Sequence, residues 1–329
     1  MTVSETIEQS NRWRTPQSGR RLLLAVVVIG GLIYGWSSVG RSAPLPEAVN
    51  AARVTFQSQQ AGEVSYYVDQ SGNGNPLVFI HGINAAPSAY EMKPLFEHYQ
   101  GERPIYALEL PGFGFSERSK RTYTPQLFGD TIREFLRTQV GEPADVIALS
   151  LSSEFGALAA RDEPSLFSSL TVIAPTGMGP PRSIEQDTSE RILNVVSFPL
   201  LGKPLFKVLT SRSVIRYYIN QSFEDAADQG LIDYAYATSH QNGASIVPFN
   251  FLSGKLFTWD AFESIYTQLT VPTLALYDKD PNVSFERLPE LLDTNPNWQA
   301  ERIAPTMGLP HWEELDKTVA ALGSFWSAE

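Results

Sequence analysis

Val146-Ile-Ala-Leu-Ser-Leu-Ser-Ser-Glu-Phe-Gly-Ala157 is the stretch on which the reading of this chain turns. Residues 146–149 are apolar without a break, as in a strand buried on both faces, and the residues after Ser152 suit a helix. Ser150 stands where one becomes the other. A chain that turns this sharply strains the corner residue, and it needs small side chains two positions to either side. Those positions hold Ala148 and Ser152, with Ser153 next. A corner at Ser152 is the competing register, but Glu154 would then crowd the turn. Ser150 is therefore the candidate nucleophile. The plain alternative is an ordinary strand-to-helix junction containing serines.

Working outward, strands are expected at 54–57 and 64–69, forming a hairpin, then at 77–80, 104–110, 146–149, 170–174 and 273–277, with a weaker one at 301–303. Thr124 caps a helix opened by Pro125, whose apolar face is Leu127, Phe128, Ile132, Phe135, Leu136 and Val140. Strands alternating with helices predict an α/β fold: a mostly parallel sheet covered on both faces, with the loops after the strands gathered on one rim. Between 180 and roughly 262 there are helical stretches (189–196, 212–220, 224–237) but no convincing strand. An insertion of this size on the functional rim reads as a cap over 180–264, placed after the sixth strand and dividing a body at 54–179 and 265–329.

Two more rim segments carry signal. His81-Gly82 closes the third strand, and Leu110-Pro-Gly-Phe-Gly-Phe-Ser116 follows the fourth. In that order and spacing, and with the serine corner, they resemble the α/β-hydrolase superfamily over roughly 54–180 and 265–327. The resemblance implies an oxyanion hole made by the backbone N–H groups of Ile83 and Leu151, the second aided by the positive end of the helix that follows. His81 and Gly82 would order the supporting loop. It also implies an acid after a late strand. Asp280 in Asp278-Lys-Asp-Pro281 is the candidate and Asp278 the fallback; Tyr277 stands where the family usually has glycine. The last catalytic member would be a histidine beyond the final strand. Of His81, His98, His240 and His311, His311 alone lies there. Family members often read Gly-His-x-Pro-His-x-Glu at this point, with the first histidine catalytic. Aligned on Pro310-His311-Trp-Glu313, that pattern puts Gly308 in the catalytic slot, so His311 would need a shift of two or three residues. Its alternative role is that of a helix-start histidine near Glu313 and Glu314.

The resemblance thus implies a Ser150–His311–Asp280 triad working through an acyl-enzyme. Serine at the corner disfavours dehalogenase and epoxide-hydrolase chemistry. The aromatic and aliphatic residues of the cap, among them Phe198, Leu205, Phe206, Tyr217 and Phe249, suggest an apolar carboxylic ester as substrate. Two alternatives stay open: a carbon–carbon bond hydrolase with the same triad, and a silent hydrolase fold that binds a hydrophobic ligand or partner. The departures at Ser152, Tyr277 and Gly308 motivate the second. No organic cofactor and no metal is expected, the histidines being too scattered for ligand spacing.

Composition sets outer bounds. At 329 residues, 43% hydrophobic and 11% aromatic, the chain can bury a full core. A formal charge of −11 argues against nucleic acid as a partner. With no cysteine, disulfides, thiolate metal sites and a cysteine nucleophile are excluded. Residues 22–40 carry no charge and follow Arg12, Arg14, Arg20 and Arg21 within a tail at 1–21. They are expected to form a single membrane anchor, with the N-terminus cytoplasmic and the body, after a linker at 41–53, on the far side. A cleaved signal peptide, with a poor site at Ser42-Ala43, is the alternative, and Arg20-Arg21 only faintly suggests twin-arginine export.

Overall fold

A strand buried on both faces reads as an unbroken apolar run because each face needs its own set of side chains. The computed structural model, which describes residues 44–180 and 186–327, bears this pattern. Its eight strands are β1 (Ala52–Ser58), β2 (Gly62–Asp69), β3 (Leu77–Ile80), β4 (Ile105–Leu108), β5 (Ala144–Leu149), β6 (Phe167–Ile173), β7 (Thr273–Tyr277) and β8 (Trp298–Arg302). They form one sheet in the order β1-β2-β4-β3-β5-β6-β7-β8, antiparallel at β1–β2 and β2–β4 and parallel from β4 to β8. All residues of β3, β4 and β5 are buried.

Alternation along those strands divides the core into two layers. Val78, Ile80, Val146 and Ala148 point to one side, where they pack with Phe128, Phe135 and Phe155. Leu77, Phe79, Ile147 and Leu149 point to the other, towards Phe96, Leu322 and Phe325. The first set of rings comes from α2 (Pro125–Phe135) and α3 (Ser152–Asp162), the second from α1 (Lys93–Tyr99) and α12 (Leu315–Ser327). Thr124 caps α2 as the sequence predicts, its hydroxyl accepting from the Leu127 amide at 3.1 Å.

Between β6 and β7 the chain is helical: α4 (Gln186–Ser197), α5 (Pro199–Leu209), α6 (Arg212–Asn220), α7 (Gln229–Ser239), α8 (Ile246–Leu252) and the single turn α9 (Ala261–Ser264). Expectation and structure differ in four elements here and beyond. Helices α5 and α8 are not expected, because Pro199, Gly202 and Pro204 in one and Pro248 in the other read as breaks; yet Pro199 sits in the first turn of α5, where its missing N–H costs nothing. The helix expected from residue 224 begins at 229, where the Asp228 side chain accepts from the Leu231 amide. The last strand occupies 298–302 rather than 301–303. The remaining helices are α10 (Leu288–Thr294) and α11 (Pro310–Glu313). The tail at 1–21 and the apolar stretch at 22–40 lie outside the described residues.

Two buried glutamates bind elements together. Glu154 of α3 accepts from the Thr176 hydroxyl and from the Thr258 amide at 2.7 Å. Glu109, after β4, accepts from the Phe115 amide at 2.6 Å, and Gly114 lies so close that a β-carbon there would overlap its carboxylate. Burial pushes both carboxyls up to about 7.

Phe155, fully buried and stacked on Phe128 with centroids 4.7 Å apart, is central to one layer. Phe155→Ala is expected to lower the unfolding free energy by about 3–5 kcal/mol in urea denaturation. For the two glutamates the folded protein binds more protons than the unfolded chain between the ordinary carboxyl value, roughly 4.3, and about 7. Their stabilisation is therefore complete below that interval and lost as pH rises through it. Urea midpoints should fall from pH 5 to pH 8, and Glu154→Gln should narrow that difference.

Candidate functional site

Ser150 follows β5 directly and has φ +54°, a left-handed conformation that costs a non-glycine residue about 1–3 kcal/mol. Its N–H donates to the Ile173 carbonyl at 2.8 Å, so the adjacent strand β6 holds the corner in place. Small neighbours permit the turn: a β-carbon at Gly156 would lie 3.3 Å from that of Ala148. Ser152 is buried, and its hydroxyl donates to the His81 carbonyl at 2.6 Å. The strained residue is Ser150; Ser152 ties the corner to the loop after β3.

Strand register brings the two oxyanion candidates to neighbouring positions. Ile80 pairs with Ala148 across β3 and β5, and Ile83 and Leu151 each lie three residues further on. Both are buried. Among the described residues neither amide has a hydrogen-bond partner. His81 is fully buried; its Nε2 accepts from the Leu110 amide at 3.0 Å and its Nδ1 donates to the Gly82 carbonyl at 2.7 Å. Burial pushes it down to about 4, so the ring is neutral.

Asp280 folds back on its own loop. One carboxylate oxygen accepts from the amides of Asn282 and Val283 at 2.7 and 2.9 Å. The other faces Gly308, where a β-carbon would stand 2.6 Å away. Burial raises its pKa above the ordinary carboxyl value. Asp278 is occupied elsewhere, accepting from Arg302 Nε at 2.7 Å and from the Thr306 amide at 2.9 Å. Burial pushes its carboxyl up, but that amide and guanidinium outweigh the effect and hold it below its usual range.

His311 departs from the expected arrangement. It is fully buried in α11, and its Nε2 lies 2.8 Å from the carbonyl oxygen of Glu91. A carbonyl can only accept, so the proton sits on Nε2 and Nδ1 is left as an acceptor without a partner. No hydrogen bond joins the ring to Ser150 or to Asp280 among the described residues. Burial pushes it down to about 4. The physical reason is chain length: Pro310 opens α11 directly after Leu309, which turns His311 inward, and residue 308 is the one set against the acid.

The residue that sequence reasoning misses altogether is Glu91, in a 3₁₀ turn at Ala89–Met92. Its carboxylate accepts from the Gly82 amide at 2.8 Å and from Asn84 Nδ2 at 2.7 Å. The helical segment between β6 and β7 reaches several loops of this rim. Tyr234 stacks on Tyr90, with centroids 4.9 Å apart, and Val247 closes over Gly112. The Glu224 amide donates to Glu313, and the Glu224 carboxylate pairs with Lys279.

The family model for the alpha/beta hydrolase family matches residues 77–322. A 2-(acetamidomethylene)succinate hydrolase of Mesorhizobium japonicum is 26% identical over 112 residues, 34% of this chain and 40% of that protein. The matched stretch is thus less than half the relative's length. A malate-bound thermophilic esterase from Thermogutta terrifontis superposes with a TM-score of 0.65 at 16% identity, covering 84% of this chain and 99% of the other. A membrane phospholipase A, a bacterial virulence factor, gives 0.67 at 18% identity, covering 95% and 97%. Structural likeness at such identities speaks for the fold alone, but the family model spans most of the sequence. The chain belongs to the alpha/beta hydrolase family.

Proposed function

We propose that the chain is a serine hydrolase acting on apolar carboxylic esters, with Ser150 as nucleophile and a weak or missing proton acceptor. The left-handed backbone at Ser150 carries this reading, since strain of this kind holds a hydroxyl out for attack. Ser150 Oγ attacks the carbonyl carbon, and the amides of Ile83 and Leu151 take the negative oxygen, each worth ~3 kcal/mol in comparable sites. The ester C–O bond then breaks, the alcohol leaves with a proton from water, and a second water cleaves the acyl-enzyme to release the acid and restore the serine. In the usual triad an imidazole held by the acid receives the serine proton. Here Asp280 faces Gly308, and His311 spends its Nε2 on Glu91. The serine proton therefore passes to water, and turnover falls by the ~10²–10⁴ that a general base contributes.

The helices between β6 and β7 act as a cap, because they touch the loops after β3, β4, β7 and β8. Where they meet the body at Ala85, Gly112, Phe113 and Arg118, only about 10 Å³ of cavity is left, roughly one water. A second reading is favoured by the same Asp280–Gly308 contact: a hydrolase fold that binds an acyl compound without turning it over.

We also propose that the protein sits on a membrane through residues 22–40. Among the described residues no single helix is long and apolar enough to cross a bilayer. The cap nevertheless exposes Val195, Phe198, Leu200, Leu201, Leu205 and Val208 along α4 and α5. The chain that follows the apolar stretch docks on the cap, with Tyr234 donating to the Pro46 carbonyl at 3.0 Å. A tether this short keeps the cap near the lipid surface, where such an apolar face would be shielded.

A fluorophosphonate probe should label the wild type and fail on Ser150→Ala; an unlabelled, folded wild type favours the silent reading. Gly308→His should raise nitrophenyl butyrate hydrolysis by about 10²–10⁴ if the acid is poised for an imidazole, and an unchanged rate in a folded variant would refute that. Full-length protein should stay in the pellet after alkaline carbonate extraction, and release into the supernatant contradicts the anchor.

A further inference from the structure

We propose that Glu91 is a positioning residue that aims the Ile83 amide at the reacting oxygen, a role that rests on Ser150 being the nucleophile. The carboxylate grips the residues on both sides of Ile83. One oxygen accepts from the Gly82 amide at 2.8 Å, and the other accepts from Asn84 Nδ2 at 2.7 Å. Asn84 in turn accepts from the Ala86 amide at 2.8 Å, which closes the loop on itself. The peptide between Gly82 and Ile83 is planar, so its C=O and N–H point in opposite directions. His81 Nδ1 holds that C=O at 2.7 Å. With the carbonyl fixed by His81 and both neighbours fixed by Glu91, the Ile83 N–H has one direction left. Gly82 suits this contact, because even a β-carbon there would come within 3.2 Å of the Glu91 carboxylate.

Glu91 is itself anchored from the far end of the chain. Its carbonyl accepts from His311 Nε2 at 2.8 Å and from Trp312 Nε1 at 2.7 Å. On this reading His311 serves the site at one remove: it holds Glu91, which holds the loop. The carboxylate accepts both bonds most strongly when ionised, since a protonated oxygen is a poorer acceptor and carries a hydrogen that neither N–H partner can take. Burial pushes Glu91 up to about 7, so the grip tightens as pH rises through neutrality.

The other titratable groups around this turn can be separated from it. His81 beyond β3 and His311 of α11 are pushed down to about 4. Tyr90, beside Glu91, and Tyr234 of α7 are pushed up by burial. Lys93 and Glu97 of α1 pair with each other, Asp233 of α7 pairs with Arg212, Asp228 caps α7, and Glu313 of α11 holds Met307 and Glu224. Glu109, beyond β4, and Glu154, one turn into α3 from Ser150, share the value near 7, so each needs its own control.

The experiment compares full-length wild type with Glu91→Gln, Glu109→Gln and Glu154→Gln in two measurements. Fluorophosphonate labelling of Ser150 should accelerate with pH around 7 in wild type, Glu109→Gln and Glu154→Gln. In Glu91→Gln it should be about 10- to 100-fold slower and lose that pH step, as expected when a donor is misaimed rather than deleted. Hydrogen exchange should rise in the peptide spanning 80–86 of Glu91→Gln while the sheet stays protected. Labelling of Glu91→Gln at the wild-type rate with the wild-type pH profile overturns the proposal and leaves Ser150 as nucleophile. Unlabelled wild type overturns the Ser150 reading instead, and unchanged exchange at 80–86 then also overturns the grip of Glu91 on the loop.

Discussion

The left-handed backbone at Ser150 is the constraint on which the rim depends. No local preference favours it, so it persists only because the neighbours over-determine it. The Ile173 carbonyl takes the Ser150 amide from one side. On the other, the Ser152 hydroxyl reaches the His81 carbonyl, so β5, β6 and the loop after β3 are locked at one point. A parallel sheet buried on both faces is a suitable frame for such strain, since its strands cannot slip without turning apolar side chains to the wrong layer.

The rim loops face a common difficulty, which is that buried backbone amides need acceptors where no strand supplies them. This protein meets it with glutamates. Glu91 serves Gly82, Glu109 serves Phe115, and Glu154 serves Thr258. Each sits beyond the end of a central strand, each is desolvated, and each is pushed up to about 7. None is ion-paired among the described residues, so their hydrogen bonds oppose the burial cost without cancelling it.

Fold and site differ in how far the sequence alone reveals them. The strands are legible because burial on both faces leaves nothing polar in 77–80 or 146–149. The corner is legible because small residues on both sides of Ser150 permit a turn that larger ones would block. The helices α5 and α8 are not legible, because proline reads as a break even where it occupies a first turn. Glu91 leaves almost no trace. In Ala89-Tyr-Glu-Met92 it looks like any exposed helical glutamate, and only folding brings residue 82 onto it. The one hint is Gly82, a glycine ending a buried strand with no turn to require it. The late loop admits two registers in sequence, and the structure sets residue 308 against Asp280 while His311 turns inward to Glu91.

Asp280 is the instructive case, because its burial asks for a reason once no imidazole is bonded to it. Its carboxyl is desolvated enough to be raised above the ordinary value, a cost that a solvent-facing asparagine would avoid. Two backbone amides, those of Asn282 and Val283, depend on one of its oxygens, and that alone accounts for an acceptor at this position. It does not account for the other oxygen, which faces Gly308, where a β-carbon would stand 2.6 Å away. A loop built only for its own turn would have no need of that approach. On the proposed reading Asp280 is the acid of the site, and it faces position 308, where glycine gives it nothing to hold.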